Sequence, residues 1–297
     1  MKKSVSLLLA GLMLCGALTG CGGNNSTAEN TDSQTTESTT GTSGAIHVVS
    51  REDGSGTRGA FVELTGVEDD NGDNTTVDAE IANRTDAVLT TVAGNEAAIG
   101  YVSLGSLNDT VKAVTVDGVE ATVDNVKSGT YTLSRPFNIA TKGEPTGVAK
   151  DFINFILSAD GQAIVEEENY IKVDDAAPAF TSDGSSGQIA VGGSSSVSPV
   201  MEKLIEAYKA VNPNAQIDLQ TSDSTSGMTG AMDGTFAIGM ASRELKDEEA
   251  AELTGTAIAL DGIAVIVNTA NTVDNLTMDQ IRSIYVGETT DWADVAA

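Results

Sequence analysis

The residues able to do chemistry in this chain fall in three short segments rich in glycine and hydroxyl side chains. The first is Ser50-Arg51-Glu52-Asp53-Gly54-Ser55-Gly56-Thr57-Arg58-Gly59, between an apolar run and the amphipathic stretch Ala60-Phe61-Val62-Glu63-Leu64. A strand, a Gly/Ser turn and a helix start leave backbone N–H groups free, backed by the positive end of the helix dipole. Ser55 and Thr57 add hydroxyls, and Arg51 adds a forked cation suited to an oxyanion. The second segment is Gly192-Gly193-Ser194-Ser195-Ser196-Val197-Ser198-Pro199, and the third is Ser222-Asp223-Ser224-Thr225-Ser226-Gly227. Ser242-Arg243, after another apolar run, is a fourth candidate. Each alone reads equally as an ordinary capped turn, with Arg51 in a surface pair, because serine is among the commonest helix caps. Together, amides and hydroxyls from several helix starts could replace the hydration shell of a small oxyanion. No Gly-Lys-Ser/Thr follows the first segment, so it is not a Walker loop.

The elements that must position these segments alternate. Short β-branched runs at 46–49, 98–102, 111–116, 189–191, 217–219, 236–240, 257–260 and 264–267 read as strands. Amphipathic stretches at 85–93, 146–157, 161–168, 197–211, 246–252 and 277–285 read as helices. In the fourth of these, Val200, Leu204, Ala207, Tyr208 and Val211 share one face. The pattern predicts α/β sheets covered by helices. Residues 174–187 lack periodicity and read as a linker, dividing the body into 45–173 and 188–297.

Composition narrows the partners. The 297 residues carry 43 acidic and 16 basic side chains, a net charge of −27, which argues against nucleic acid and anionic membrane surfaces. Taken alone, that field also disfavours a small anion. One His and two Cys argue against a zinc site, and no metal or cofactor is expected. His47 reads as structural or surface; no Gly-x-Ser-x-Gly elbow is present for a Ser–His–Asp hydrolase. The acidic runs Asp69-Asp70 and Glu166-Glu167-Glu168 read as solvated faces, and Trp292 as packing near the chain end.

The N-terminal residues read as an export signal. Lys2 and Lys3 precede a mostly apolar stretch ending in Leu18-Thr19-Gly20-Cys21. That ending resembles a lipobox, which would make residues 1–20 a signal peptide and Cys21 a lipidated mature N-terminus. Cys15 would leave with the signal. Residues 21–44 are almost free of apolar side chains and read as a tether. Lipid plus tether predicts a protein on the extracytoplasmic face of a cell membrane.

Several of these segments also resemble one family. Arg51 to Phe61, Gly193 to Met201, Ile238 to Leu245, Ala259 to Val265 and Lys127 to Tyr131 are similar to the signatures of PstS-type phosphate-binding lipoproteins. The resemblance implies a two-lobed class II periplasmic-binding-protein fold, capture of inorganic phosphate between the lobes, and delivery to the permease of an ABC importer. It implies a monomer without catalytic activity. It places the phosphate ligands at Arg51, Ser55, Gly56, Thr57, Ser195, Ser196, Ser224 and Ser242, with Asp53 orienting Arg51.

This chain departs from the family pattern in two ways. Its halves stand in exchanged order, which reads as a circular permutation, with 174–187 joining the family's usual C-terminus to its usual N-terminus. The lobes would then be 45–134 plus 260–297, and 135–259, with crossings near 133–136 and 259–261. At Ser242, many members carry an Asp that accepts the proton of a protonated phosphate. A serine there leaves sulfate, molybdate and tungstate as alternative ligands. A phosphatase or other hydrolase, and a non-binding surface lipoprotein, are the alternatives from other classes.

Overall fold

The computed structural model describes residues 42–295; the export signal, Cys21 and the tether up to residue 41 lie outside them. The strands that carry the argument are β1 (His47–Arg51), β2 (Glu80–Ala82), β3 (Ala98–Ser103), β4 (Val111–Ala113), β5 (Ser134–Thr141), β6 (Gly187–Ser194), β7 (Ala215–Ser222), β8 (Ile238–Ala241) and β9 (Thr254–Asn268). The helices are α1 (Gly56–Thr65), α2 (Thr85–Gly94), α3 (Gly147–Ile156), α4 (Ala159–Glu167), α5 (Ser198–Val211), α6 (Ser224–Asp233) and α7 (Met278–Tyr285).

These strands run in the order β7-β6-β8-β5-β9-β3-β1-β2. Within it, β6 is parallel to β7 and β8, and β1 is parallel to β2 and β3. The two parallel groups are joined through β5 and β9. From Thr254 to Gly262, β9 pairs antiparallel with β5; from Ile263 to Val267 it pairs antiparallel with β3. One long strand therefore serves both lobes of an α/β two-lobed fold.

Each lobe has its own core. Around β1 and β3, Phe61 of α1 stacks on Tyr101 with ring centroids 3.9 Å apart and meets Tyr285 of α7 edge-on at 4.7 Å. Trp292 is fully buried there, and its indole N–H donates to the Ala97 carbonyl at 2.9 Å. Around β6 and β8, Phe152 and Phe155 of α3 pack with Val200, Leu204 and Tyr208 of α5. Burying these aromatic and aliphatic side chains supplies the main driving force of each lobe.

Three sequence expectations change. The strands expected at 257–260 and 264–267 are one strand, because Asp261 between them pairs with a buried arginine instead of turning to solvent. β5, which the sequence reading did not include, is central; Pro136 hides it. Its partner on one side begins only at Asn138, so the proline, which lacks an N–H, faces no ladder position there. On α5, Val211 is exposed at the last turn while Val200, Leu204 and Tyr208 are buried.

The 174–187 segment has little regular structure but is fastened to its lobe. Phe180 packs edge-on against Phe155, and the Pro178 carbonyl accepts from the Ala159 amide at 2.8 Å. Buried Asp151 accepts from Ser182 Oγ at 2.7 Å, the Asp183 amide at 3.0 Å, Tyr208 Oη at 2.7 Å and Asn212 Nδ2 at 3.3 Å. Burial pushes this carboxyl's pKa up, but the four hydrogen bonds outweigh it and the net shift is downward.

Candidate functional site

The carboxyl ends of β1, β6, β7 and β8 deliver the hydroxyl-rich turns to one place between the lobes, where ligands of parallel-strand folds usually bind. At the end of β1, Gly54 takes φ +86°, a turn conformation that a side chain would strain. Ser55 then caps α1, its Oγ accepting from the Arg58 amide at 3.4 Å.

Arg51 ends β1 with a buried side chain. Its Nε and Nη2 donate to the two oxygens of Glu52 at 2.7 and 2.8 Å. Nη2 also donates to Ser195 Oγ at 3.0 Å, and Nη1 to Thr85 Oγ1 at 3.3 Å. The residue orienting Arg51 is thus Glu52, not Asp53 as expected. Asp53 is exposed and accepts from Arg58 Nη1 at 3.0 Å; from that position it cannot hold the Arg51 fork.

The other expected residues converge. Thr57 Oγ1 lies 2.8 Å from Ser196 Oγ and 3.4 Å from Ser242 Oγ, crossing between the lobes. Ser194 Oγ donates to Ser242 Oγ at 3.0 Å, and the Ser242 amide donates to Ser224 Oγ at 3.1 Å. Gly56 sits so close that a Cβ there would collide with Ser224 Oγ and Ser242 Oγ. All these hydroxyls are buried. A cleft of about 290 Å³, lined in part by Thr85, Ser106, Ser195 and Glu202, opens beside them.

The ligand set expected from the sequence left out four participants: Glu52 and Ser194, which lie inside the candidate segments, and Thr85 and Arg135, which lie outside them. Thr85 is the first residue of α2, and its Oγ1 lies 3.3 and 3.2 Å from Ser195 and Ser196. Its signal was weak, since Arg84 at the cap position makes no side-chain cap bond. Arg135 Nη2 donates to Thr57 Oγ1 at 3.0 Å, and its Nε to the Ser242 carbonyl at 2.9 Å. It comes from β5, the strand that the pattern hides. His47 lies at the opposite end of β1 from Arg51, paired with Glu80 at 2.8 Å.

Chemically, the site offers hydroxyls, amides at the starts of α1, α2, α5 and α6, and guanidinium groups. These are hydrogen-bond donors gathered out of water, where each bond to an anion gains strength.

Comparison with known proteins agrees with this fold. A family model described as a PBP superfamily domain matches residues 25–160 and 178–297. A relative named phosphate-binding protein PstS 2 from Streptococcus agalactiae is 48% identical, covering 99% of this chain and 98% of that protein. A phosphate-binding protein PstS from Bacillus subtilis is 37% identical, but the match covers only 44% of this chain and 42% of that one. The solved phosphate-binding protein of a phosphate ABC transporter from Streptococcus pneumoniae superposes with a TM-score of 0.69 at 46% identity. That superposition covers 85% of this chain and 100% of that one. The chain belongs to the PstS-type phosphate-binding proteins of the PBP superfamily.

Proposed function

We propose that this protein captures inorganic phosphate between its two lobes and passes it to the permease of an ABC importer, without catalysing a reaction. The observation that carries the reading is the buried Arg51 fork, with hydroxyls of both lobes at the starts of four helices around it. Phosphate oxygens would take the place of bonds now made between the hydroxyls themselves. Titration calorimetry of the full chain in detergent should show saturable heat with phosphate; folded protein giving no heat at millimolar phosphate would refute the reading.

The anchoring belongs to the same proposal: lipid on Cys21 holds the body on the extracytoplasmic face. Cys21→Ala should move the protein from the membrane fraction to the medium.

The exchanged order of the halves is also proposed here as a circular permutation. Two facts support it. The Bacillus subtilis match covers less than half of each chain, as expected when one half aligns at a time, whereas the Streptococcus agalactiae match runs end to end. The 174–187 segment is fastened within one lobe, as a joint between former ends would be. The lobe boundaries 45–134 plus 260–297, and 135–259, are part of this proposal; the change of partner along β9 at Gly262 and Ile263 supports them.

A further inference from the structure

Arg135 and Asp261 are register partners where β5 and β9 pass between the lobes. Both side chains are buried, and Arg135 Nη1 lies 3.1 Å from Asp261 Oδ2, within reach of an ion pair. Yet Nη1 and both Asp261 oxygens are among the buried polar atoms without a hydrogen-bond partner. Burial pushes the Asp261 pKa up. Arg135, Ser103 and the amides of Gly105 and Leu104 pull against it, but none meets the carboxylate at the distance and angle of a full hydrogen bond. A buried carboxylate thus stands beside a forked cation that does not serve it.

The fork is engaged elsewhere. Arg135 Nη2 donates to Thr57 Oγ1 at 3.0 Å, and Nε to the Ser242 carbonyl at 2.9 Å. Thr57 stands in the first turn of α1 in one lobe, and Ser242 follows β8 in the other. One guanidinium, rooted in a crossing strand, therefore holds a group of each lobe, and it can do so only while the lobes are together. The hydroxyls of the site are buried between the lobes, so a ligand enters or leaves only when the lobes part. Parting them breaks at least one of the two Arg135 bonds. Among the described residues, Asp261 is the only carboxylate within ion-pair distance of Arg135, and it is the acceptor that freed N–H groups would find. A charge-assisted bond to a carboxylate that had none is strong enough to offset part of what opening loses.

We propose, resting on the reading that this cleft holds phosphate, that Arg135 and Asp261 form an opening device: closure draws the guanidinium off Asp261 onto Thr57 and Ser242, and opening gives it back. The ligand-free balance between open and closed lobes, and the rate at which phosphate leaves, are then set in part by a carboxylate outside the hydroxyl cluster.

The test uses the full chain in detergent with Cys15→Ser and Cys21→Ser, and spin labels on Asp70→Cys and Glu248→Cys, exposed positions of the two lobes. Double electron–electron resonance reads their separation with and without inorganic phosphate. Calorimetry reads affinity, and dilution of bound radiolabelled phosphate reads release. Without phosphate, the labels should lie farther apart than with it. Asp261→Asn, neutral and of the same shape, removes the charged opening partner while Arg135 keeps Thr57 and Ser242. Its ligand-free separation should move toward the phosphate-bound value, and it should hold phosphate about three- to tenfold more tightly, mainly through slower release. Tighter binding with an unchanged ligand-free separation would be a field effect of the lost charge alone and would overturn the inference. Unchanged or weaker binding would overturn it too, as would a separation that bound phosphate does not alter. Unsubstituted Asp261 protein that gives no heat with phosphate would overturn the phosphate reading instead, and the two ligand-free separations would still decide the device. If Asp261→Asn does not fold, Asp261→Ser, neutral and smaller, should give the same ligand-free shift; no shift would overturn the inference.

Discussion

Arg51 carries its own counter-ion: Nε and Nη2 each donate to Glu52, Nη2 donates again to Ser195 and Nη1 once to Thr85, which leaves one of the five guanidinium donors open. On the proposed phosphate reading, removing the guanidinium removes charge-assisted bonds to the ligand, and it leaves Glu52 without its partner. Arg51→Ala should therefore weaken phosphate binding by roughly 2–4 kcal/mol, about 30- to 700-fold by calorimetry. Asp261 behaves differently. Burial pushes its pKa up to about 6 from 3.8, against the pull of Arg135. The folded state then holds a proton that the unfolded chain has already released, so this group's contribution to stability falls as pH rises from about 4 through about 6. Against Asp261→Asn, which cannot titrate, wild type should lose relative stability across that window in chemical unfolding at stepped pH. A parallel pair of curves would contradict the burial argument.

The elements turn these residues into a site through their ends. Gly and Ser mark the strand-to-helix turns in the sequence, so the segments around Arg51, Ser195, Ser224 and Ser242 were legible before any geometry. Asp53 was misread because one position along a turn decides whether a carboxylate meets Arg51 or Arg58, and local pattern does not fix that. Thr85 and Arg135 were not legible for another reason: they approach only because α2 and β5 cross the site in three dimensions. Two element-level outcomes follow. Gly56→Ala should cost at least about tenfold in phosphate affinity with unchanged circular dichroism, because the added Cβ enters the hydroxyl cluster while its α1 position tolerates alanine. Asp151→Ala should lower stability by about 3 kcal/mol in thermal or denaturant unfolding, since Tyr208, Asn212, Ser182 and the Asp183 amide lose one shared acceptor.

At the scale of the whole molecule, the net charge of −27 is spread over a surface, while the site rests on contacts of about 3 Å. Beyond about 8–10 Å, salt screens the acidic field. Phosphate affinity should thus change by less than about threefold between roughly 50 and 500 mM NaCl; a steep dependence would mean that the surface field, not the cradle, governs binding. The α/β class and helix-covered sheets were readable from alternating patterns, but the joint between lobes was not, because Pro136 and Asp261 break the apolar pattern of the two strands that make it. The described chain begins beside its own far end: Ala45 bridges to Asp291, and the Trp292 amide donates to the Gly44 carbonyl at 3.0 Å. From there β1 leads straight to Arg51. A pull on residue 42, as on a leash, would meet its paired bonds to Thr272 first, then that staple, and then the parallel neighbours of β1, loaded lengthwise. Tension is thereby taken up around β1 before it reaches the arginine.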